Sequence, residues 1–172
     1  MQTQKAPSPA AEAAAAEAIA WDVADGLAPD CLYVLGPGTT TRAIAARLGL
    51  PKTLVGVDVV RRGPAGPELA AADVSEARLL ELTAGRPAKI VVTPIGGQGF
   101  LFGRGNQPIS PRVLRQVGGA NVIVVSTPAK LAALAGRPLL LDTGDPDLDA
   151  ALAGYVRVVT GYQDRVIYTV SA

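Results

Sequence analysis

Apolar and amphipathic stretches alternate along most of the 172-residue chain. Short aliphatic runs are typical of buried strands, whereas apolar positions three or four residues apart indicate one face of a helix. The runs predict strands at residues 32–35, 53–60, 89–95, 121–125 and 138–141. The amphipathic stretches predict helices at residues 10–27, 39–48, 76–83, 112–117 and 129–135, and around Leu148 and Leu152. This alternation predicts an α/β fold, a Rossmann-like layered domain with a mostly parallel sheet and helices on both faces.

The two ends of the chain depart from this alternation. Residues 1–9 are polar and contain two prolines, so we expect a linker or the remnant of a domain junction there. Residues 155–160 and 165–170 alternate apolar and polar positions on either side of a turn, which predicts a C-terminal β-hairpin or two edge strands. Residues 10–172 are therefore expected to form a single α/β ligand-binding domain.

A glycine turn rich in hydroxyl groups follows the first predicted strand. It consists of Gly36, Pro37, Gly38, Thr39, Thr40, Thr41 and Arg42. Free N–H groups at a helix N-terminus attract anions, and glycines let the backbone approach a ligand closely. The hydroxyls and the guanidinium are further donors for phosphate. The turn lacks the lysine of a Walker loop and the third glycine of a dinucleotide fingerprint. It therefore predicts a phosphate site, with a purely structural βα turn as the alternative.

Further polar residues follow the later predicted strands. The stretch 96–107 contains five glycines and both phenylalanines, which predicts a functional or mobile loop. Phe100 and Phe102 either pin this loop to the core or stack on the ring of a ligand. Carboxyl ends of parallel strands share one edge of a sheet, so we expect these clusters to converge there with the glycine turn. The additional candidate ligand-binding residues are Gly96, Gly97, Gln98, Gly99, Arg104, Asn106, Ser126, Thr127, Asp142, Thr143 and Gly144.

Three acidic residues are candidates for more specific roles. Asp58 is predicted near the end of the second strand, about twenty residues past the glycines, which is the offset of a carboxylate that holds a ribose hydroxyl. The alternative role of Asp58 is a cap on the next turn. Asp142 and Asp145 are the candidate catalytic residues and a candidate magnesium site. Both could instead be helix caps, since Asp145 directly precedes Pro146.

The composition excludes several classes of chemistry. The sequence contains no histidine, which removes Ser-His and Cys-His catalysis and the usual zinc sites. Cys31 is the only cysteine, so no intramolecular disulfide can form, and we expect a cytoplasmic location. A net charge of +1 gives no general electrostatic case for nucleic acid or for an anionic membrane, and no apolar run is long enough to span a bilayer.

Three stretches resemble the C-terminal part of the ATP-NAD kinase family, in the branch that includes acetoin-catabolism protein X. They read YVLGPGTTTRAIAARLGL from Tyr33, TPIGGQGFLFGRGNQPIS from Thr93 and PLLLDTGDPDLDAALAGYVRVVTGY from Pro138. The resemblance covers nearly the whole chain, from about Gln4. It implies the nucleotide- or phosphate-binding domain of a protein that phosphorylates NAD to NADP, with NAD, ATP or polyphosphate, and Mg as cofactors.

The kinase signature of that family is a Gly-Gly-Asp-Gly loop in an N-terminal domain, and the nearest echo here is Gly96-Gly97-Gln98-Gly99. The resemblance therefore implies a domain that works with an N-terminal kinase-like domain and is not catalytically complete alone. The turn GPGTTT is also similar to phosphate-binding turns of ribose-5-phosphate isomerase-like and sugar-phosphate-sensing domains. A stand-alone sugar-phosphate-binding or isomerase-type domain thus stays open, as does a structural module that forms a homo-oligomer.

Overall fold

The computed structural model describes residues 6–172. Its strands are β1 Leu32–Leu35, β2 Asp58–Gly63, β3 Gly66–Ala71, β4 Ala88–Val92, β5 Phe100–Phe102, β6 Val122–Val125, β7 Leu139–Leu141, β8 Gly154–Gly161 and β9 Asp164–Ser171. Its α-helices are α1 Pro9–Asp25, α2 Thr39–Arg47, α3 Glu76–Thr83, α4 Pro111–Val117, α5 Pro128–Ala132 and α6 Pro146–Leu152. The described strands form one sheet in the order β3-β2-β1-β4-β6-β8-β9-β7-β5.

Strand direction divides this sheet into two parts. β1, β4, β6 and β8 are mutually parallel neighbours. β9 is antiparallel to β8, and β7 and β5 continue parallel to β9, so that these three strands point the opposite way. At the other side, β2 is antiparallel to β1 and pairs with β3 as a hairpin. We call the end of the sheet at which β1, β4 and β6 finish the carboxyl edge; Gly36, Thr93 and Ser126 lie on it.

Helices cover both faces of the sheet, as the sequence predicted. On one face, Ile19, Val23 and Leu27 of the predicted apolar stripe are buried in a cluster with residues of α2 and β1. On the other face, α3 and α4 contribute to a larger cluster with alternate residues of the central strands. Adjacent strand residues point to opposite faces, so β1, β4 and β6 each supply both clusters. The α/β layered fold with a mostly parallel sheet is confirmed.

The second predicted strand is displaced along the chain. Residues 53–57 form a loop, and β2 begins at Asp58 and runs to Gly63, three residues beyond the predicted end of the strand. The apolar residues Leu54 and Val55 of this loop are 67% and 79% exposed. Hydrophobic pattern alone misplaced the strand, because an aliphatic run in an exposed loop resembles a buried strand.

The glycine-rich stretch contains a strand that its composition concealed. β5 pairs with β7, and its side chains Leu101 and Phe102 are buried in the larger cluster. Pinning by Phe102 is confirmed, whereas Phe100 is half-buried with the Arg104 guanidinium 4.7 Å from its ring centroid. A strand of three residues between glycines is too short for its periodicity to show.

Both ends of the described chain pack against the domain. β8 and β9 form the predicted antiparallel hairpin, but they lie inside the sheet and are not edge strands. Arg165 of β9 binds Asp22 of α1 at 2.8 Å. Ser8 caps α1, so the predicted linker at residues 1–9 overlaps the helix start, and its first five residues lie outside the described residues. Between residues 6 and 172, no helix has the length and apolar character needed to cross a bilayer.

Candidate functional site

The turn after β1 is closed by its own third threonine. The Gly36 amide donates to the Val91 carbonyl at 2.9 Å, which extends the β1–β4 pairing into the turn. The Thr41 Oγ1 lies 2.6 Å from the Gly36 carbonyl oxygen and 3.0 Å from that of Gly38. The hydroxyl proton of Thr41 is therefore used within the turn, so the side chain of this predicted ligand-binding residue holds the backbone and only its amide is left as a donor.

Gly38 is the residue at which the backbone approaches its neighbour most closely in this turn. Its φ is +130°, and a Cβ there would lie 2.5 Å from the Thr93 Cγ2. Only glycine adopts this conformation without strain, and only glycine leaves room for Thr93. The predicted need for glycine at this position thus has a steric cause.

The N-terminus of α2 faces the carboxyl edge with free donors. The first backbone bond of the helix runs from the Arg42 amide to the Gly38 carbonyl, and no side chain of the described residues caps the helix start. The amides of Thr39, Thr40 and Thr41 precede this bond, as the first amides of any helix do. Together with the helix dipole they provide an anion-binding geometry.

Two buried hydroxyl groups beside this helix start lack partners. Thr40 is fully buried and Thr93 is 1% exposed, yet neither Oγ1 has a hydrogen-bond partner among the described residues. Thr40 belongs to the first turn of α2, and Thr93 touches the position of Gly38. A buried hydroxyl without a partner costs about 1–3 kcal/mol, so both groups are poised to bind a ligand oxygen or water.

Lys130 lies beside the start of α2 and was not predicted from the sequence as a candidate site residue. It lies in α5, whose N-cap is Thr127, and its Nζ donates to the Thr39 Oγ1 at 3.1 Å. The contact brings a positive charge to the first turn of α2 across 91 positions of sequence. A signal was present, since Ser126-Thr127-Pro128 at a strand end predicts a helix start, and a lysine follows in its first turn.

Ser126 and Thr127 lie at the carboxyl edge as predicted, but their hydroxyls are occupied. The Ser126 Oγ donates to the Thr127 carbonyl at 3.1 Å. The Thr127 Oγ1 donates to the carboxylate of Glu12 in α1 and accepts from the Lys130 amide. Glu12 was not anticipated, and it places a negative charge beside the start of α5, where the helix dipole favours one.

The first part of the glycine-rich stretch extends the carboxyl edge. Gly96, Gly97 and Gln98 are exposed, and a cavity of about 260 Å³ lies between this segment and Lys130. The Asn106 side chain lies deeper, because its Nδ2 donates to the Leu101 carbonyl at 2.7 Å and the residue is fully buried. Its Oδ1 has no partner among the described residues.

Asp58 starts β2 rather than ending a strand, and its carboxylate is fully engaged. It forms a salt bridge of 2.7 Å with Lys52 and accepts from the Thr53 amide, the Thr53 hydroxyl and the Asp73 amide. Burial would raise its pKa, but these donors outweigh burial and lower the pKa of the carboxyl. The structure leaves no free oxygen for a ribose hydroxyl, so Asp58 holds the loop before β2 in place.

Asp142 and Asp145 are not at the carboxyl edge. They follow β7, which runs opposite to β6, so the expected convergence of all four polar clusters is wrong for this one. Asp142 binds Arg104 at 3.0 Å, and Asp145 binds Arg115 at 2.7 Å while capping α6. The Arg115 hydrogen bond lowers the pKa of Asp145.

The polar segment after β7 is satisfied by its own neighbours. The Thr143 hydroxyl donates to the Asp149 carboxylate at 2.5 Å, so the threonine of this segment is engaged as well. Between residues 6 and 172, no group of three or more acidic or cysteine side chains comes close enough together to hold a metal ion. The predicted cap role of Asp145 is confirmed, and the magnesium prediction gains no support from geometry.

One comparison with known proteins gives a match. The family model described as ATP-NAD kinase C-terminal domain matches residues 29–170, which is most of the chain. The matched range includes the glycine turn, the stretch 96–107 and both polar segments that follow β6 and β7. Comparisons with curated proteins and with solved structures gave no significant match.

Proposed function

This chain belongs to the ATP-NAD kinase C-terminal domain family, and on that premise we propose that it binds a nucleotide or another phosphorylated ligand at the carboxyl edge. The proposed parent reaction is the phosphorylation of NAD to NADP, with ATP or polyphosphate as the donor and Mg as its metal. An N-terminal kinase-like domain is the proposed partner within the parent protein.

One observation carries the proposal: the hydroxyls of Thr40 and Thr93, which have no partner among the described residues, lie beside the first amides of α2. Evolved cores rarely leave buried polar groups unpaired, because the loss costs stability. A phosphate or ribose oxygen would satisfy the hydroxyls and the amides together. The same feature opposes a purely structural module, for which apolar side chains at residues 40 and 93 would be more stable.

The charges around the turn favour an anion with a defined orientation. Lys130 contacts Thr39, and Arg42 lies in the first turn of α2. Glu12 opposes them, but its carboxylate is already bound to the Thr127 hydroxyl. A phosphate group bound by the α2 amides would therefore also be attracted by the positive charge of Lys130, from the side on which α5 lies.

The carboxylates found near the carboxyl edge among residues 6–172 support a domain that is catalytically incomplete alone. Orienting or deprotonating the attacking hydroxyl calls for a free carboxylate or a comparable base. Asp58 is buried in its salt bridge, Glu12 is bound to Thr127, and Gln98 has an amide that does not ionise. We therefore propose that the chain binds without turning over, and that the partner domain supplies the base.

Ligand-induced stabilisation tests the binding proposal. Unfolding temperature is measured with NAD, ATP, tripolyphosphate and ribose 5-phosphate, for the parent chain, Thr40→Val and the exposed control Thr169→Val. A ligand at a hundred times its dissociation constant adds about 2.7 kcal/mol of stability. We expect stabilisation of the parent and the control, reduced in Thr40→Val. No stabilisation by any ligand would contradict the proposal, and a response to ribose 5-phosphate alone would favour the sugar-phosphate alternative.

Absence of turnover is tested with the purified chain. NAD, Mg²⁺ and either ATP or tripolyphosphate are incubated with it, and NADP is measured against a mock purification. We expect no NADP above the mock. Robust NADP formation that is lost in Asp142→Asn would place a complete active site within this chain.

A further inference from the structure

A second cluster of positive charge lies at the opposite end of the sheet from the carboxyl edge. There the first residue of β1, Leu32, pairs with Arg61 of β2 on one side and with Ala88, the first residue of β4, on the other. A cavity of about 390 Å³ opens at this place, lined by Arg61, Arg62 and Arg86. Its volume is within the range of small-ligand sites.

The positive charges in this cavity are mostly uncompensated. Arg61 pairs with Glu68 at 2.8 Å, but Arg62 and Arg86 have no carboxylate within 4.0 Å among the described residues. Asp30 also lines the cavity, and it too forms no salt bridge there within the described part of the chain. Arg62 and Arg86 both line the cavity, so an anion bound in it would be attracted by their positive charges.

Strand pairing and backbone hydrogen bonds fix the main-chain positions of Arg62 and Arg86 beside the cavity. Arg62 bridges to Pro29 beside the start of β1, and its Nη1 lies 3.5 Å from the Leu27 carbonyl oxygen. The hairpin of β2 and β3 closes one residue later, where Gly63 pairs with Gly66. Arg86 directly precedes Pro87, whose carbonyl accepts from the Leu32 amide at 3.0 Å.

We propose that this cavity is a second binding site, for a small phosphate-type oxyanion with two or more negative charges. Guanidinium forks match the oxygens of phosphate in a bidentate geometry, and two of them suit a dianion or a diphosphate. The anion is either free or part of a nucleotide diphosphate. This site shares no residue with the carboxyl edge, and its existence does not depend on the proposed function.

The test is calorimetric titration of the purified chain with pyrophosphate and, separately, with ADP. The double variant Arg62→Gln/Arg86→Gln is compared with Arg78→Gln/Arg112→Gln, which removes the same charge from the exposed faces of α3 and α4. We expect the first variant to bind one pyrophosphate fewer than the parent, or to bind it at least tenfold more weakly, whereas the control matches the parent. If the first variant loses the binding of both ADP and pyrophosphate, the ligand of this cavity is a nucleotide diphosphate. If it loses the binding of pyrophosphate alone, the ligand is a free anion.

Equal pyrophosphate binding by the two double variants would overturn the proposal, as would absence of pyrophosphate binding to the parent. Thr40→Val separates this site from the carboxyl edge. If Thr40→Val alone removes all bound pyrophosphate, only the carboxyl edge binds and the second site is wrong. If the carboxyl edge binds no pyrophosphate, the variant Arg62→Gln/Arg86→Gln should still bind one pyrophosphate fewer than the parent.

Discussion

Two segments of this chain have the same appearance in sequence and opposite properties in structure. The turn after β1 and the segment after β7 each place glycine, threonine and a helix start directly behind an aliphatic strand. In the first, helix amides and the Thr40 hydroxyl have no partner among the described residues. In the second, Asp145 caps α6 and pairs with Arg115, and the Thr143 hydroxyl donates to Asp149 at 2.5 Å.

A polar cluster at a strand end is therefore a candidate ligand site only when its hydrogen-bond donors have no partner within the protein. A satisfied cluster stabilises its own loop, since each polar group already has a partner. Strand direction separates the two segments further, because β7 runs opposite to β6. The following variants probe this contrast between the carboxyl edge and the segment after β7, in order of decreasing expected effect.

Removal of a carboxylate should lower the free energy of unfolding strongly beside the carboxyl edge and only slightly in the segment after β7. Asp58 and Lys52 are 1% and 2% exposed, so Asp58→Asn leaves a buried ammonium without its counter-charge and should cost about 3–5 kcal/mol. Asp142 and Arg104 are 50% and 60% exposed, so Asp142→Asn should cost about 1 kcal/mol or less. Urea unfolding of both variants measures the difference, and equal costs would contradict the structural role assigned to Asp58.

The same buried pair predicts a dependence of stability on pH. The folded pKa of Asp58 lies below its ordinary value of 3.8, so its contribution is present above that value and is lost as the pH falls below it. The free energy of unfolding of the parent should therefore decline below about pH 4. Asp58→Asn, compared over the same pH range, should lack this part of the decline. Parallel curves for the two proteins would show that Asp58 is not the group responsible.

Alanine should be tolerated better at Gly144 than at Gly38. Both glycines have positive φ, but a Cβ at Gly144 meets nothing within 4 Å, whereas one at Gly38 meets Thr93 at 2.5 Å. Backbone strain alone should cost about 1–2 kcal/mol at Gly144, and the steric clash should make Gly38→Ala more costly than that. Thermal unfolding compares the two variants. A smaller loss at Gly38 would mean that the turn adapts easily and is not built around a close approach.

Replacement of an unpaired hydroxyl by a methyl group should increase stability slightly. Thr40→Val and Thr93→Val remove buried polar groups that lack partners within the described residues, so each should be neutral or stabilising by up to about 1 kcal/mol. Thr143→Val removes a hydroxyl bonded to Asp149 and should destabilise by about 1 kcal/mol. Urea unfolding without ligand provides the comparison. A loss of stability in Thr40→Val would show that its hydroxyl has a partner and is not held free for a ligand.

Local features of the fold could be predicted from the sequence, because each depends on neighbouring residues. β1, the glycine turn and α3 follow from short-range hydrophobic pattern and turn chemistry. The C-terminal hairpin is equally local. Packing of Phe102 in the core was one of the two roles considered for it and is confirmed, although the strand that carries it was not foreseen.

Features that depend on distant pairing could not be predicted. Nothing in the sequence shows that β7 reverses direction, and this reversal removes Asp142 from the carboxyl edge. The contact of Lys130 with Thr39 and that of Glu12 with Thr127 join residues about a hundred positions apart. The salt bridge and hydrogen bonds of Asp58 could not be predicted, because Lys52 and Asp73 become its neighbours only when the loop before β2 folds.

The proposed ligand site requires that the free donors at the start of α2 bind a phosphorylated ligand. Amide resonances of the chain, followed by NMR during titration with NAD, ATP, tripolyphosphate and ribose 5-phosphate in turn, test this directly. We predict that at least one ligand shifts the amides of Thr39, Thr40 and Thr41 and leaves those of Thr143 and Gly144 unchanged. Shifts at Thr143 and Gly144 without any at Thr39–Thr41, or no shift with any of the four ligands, would contradict the account.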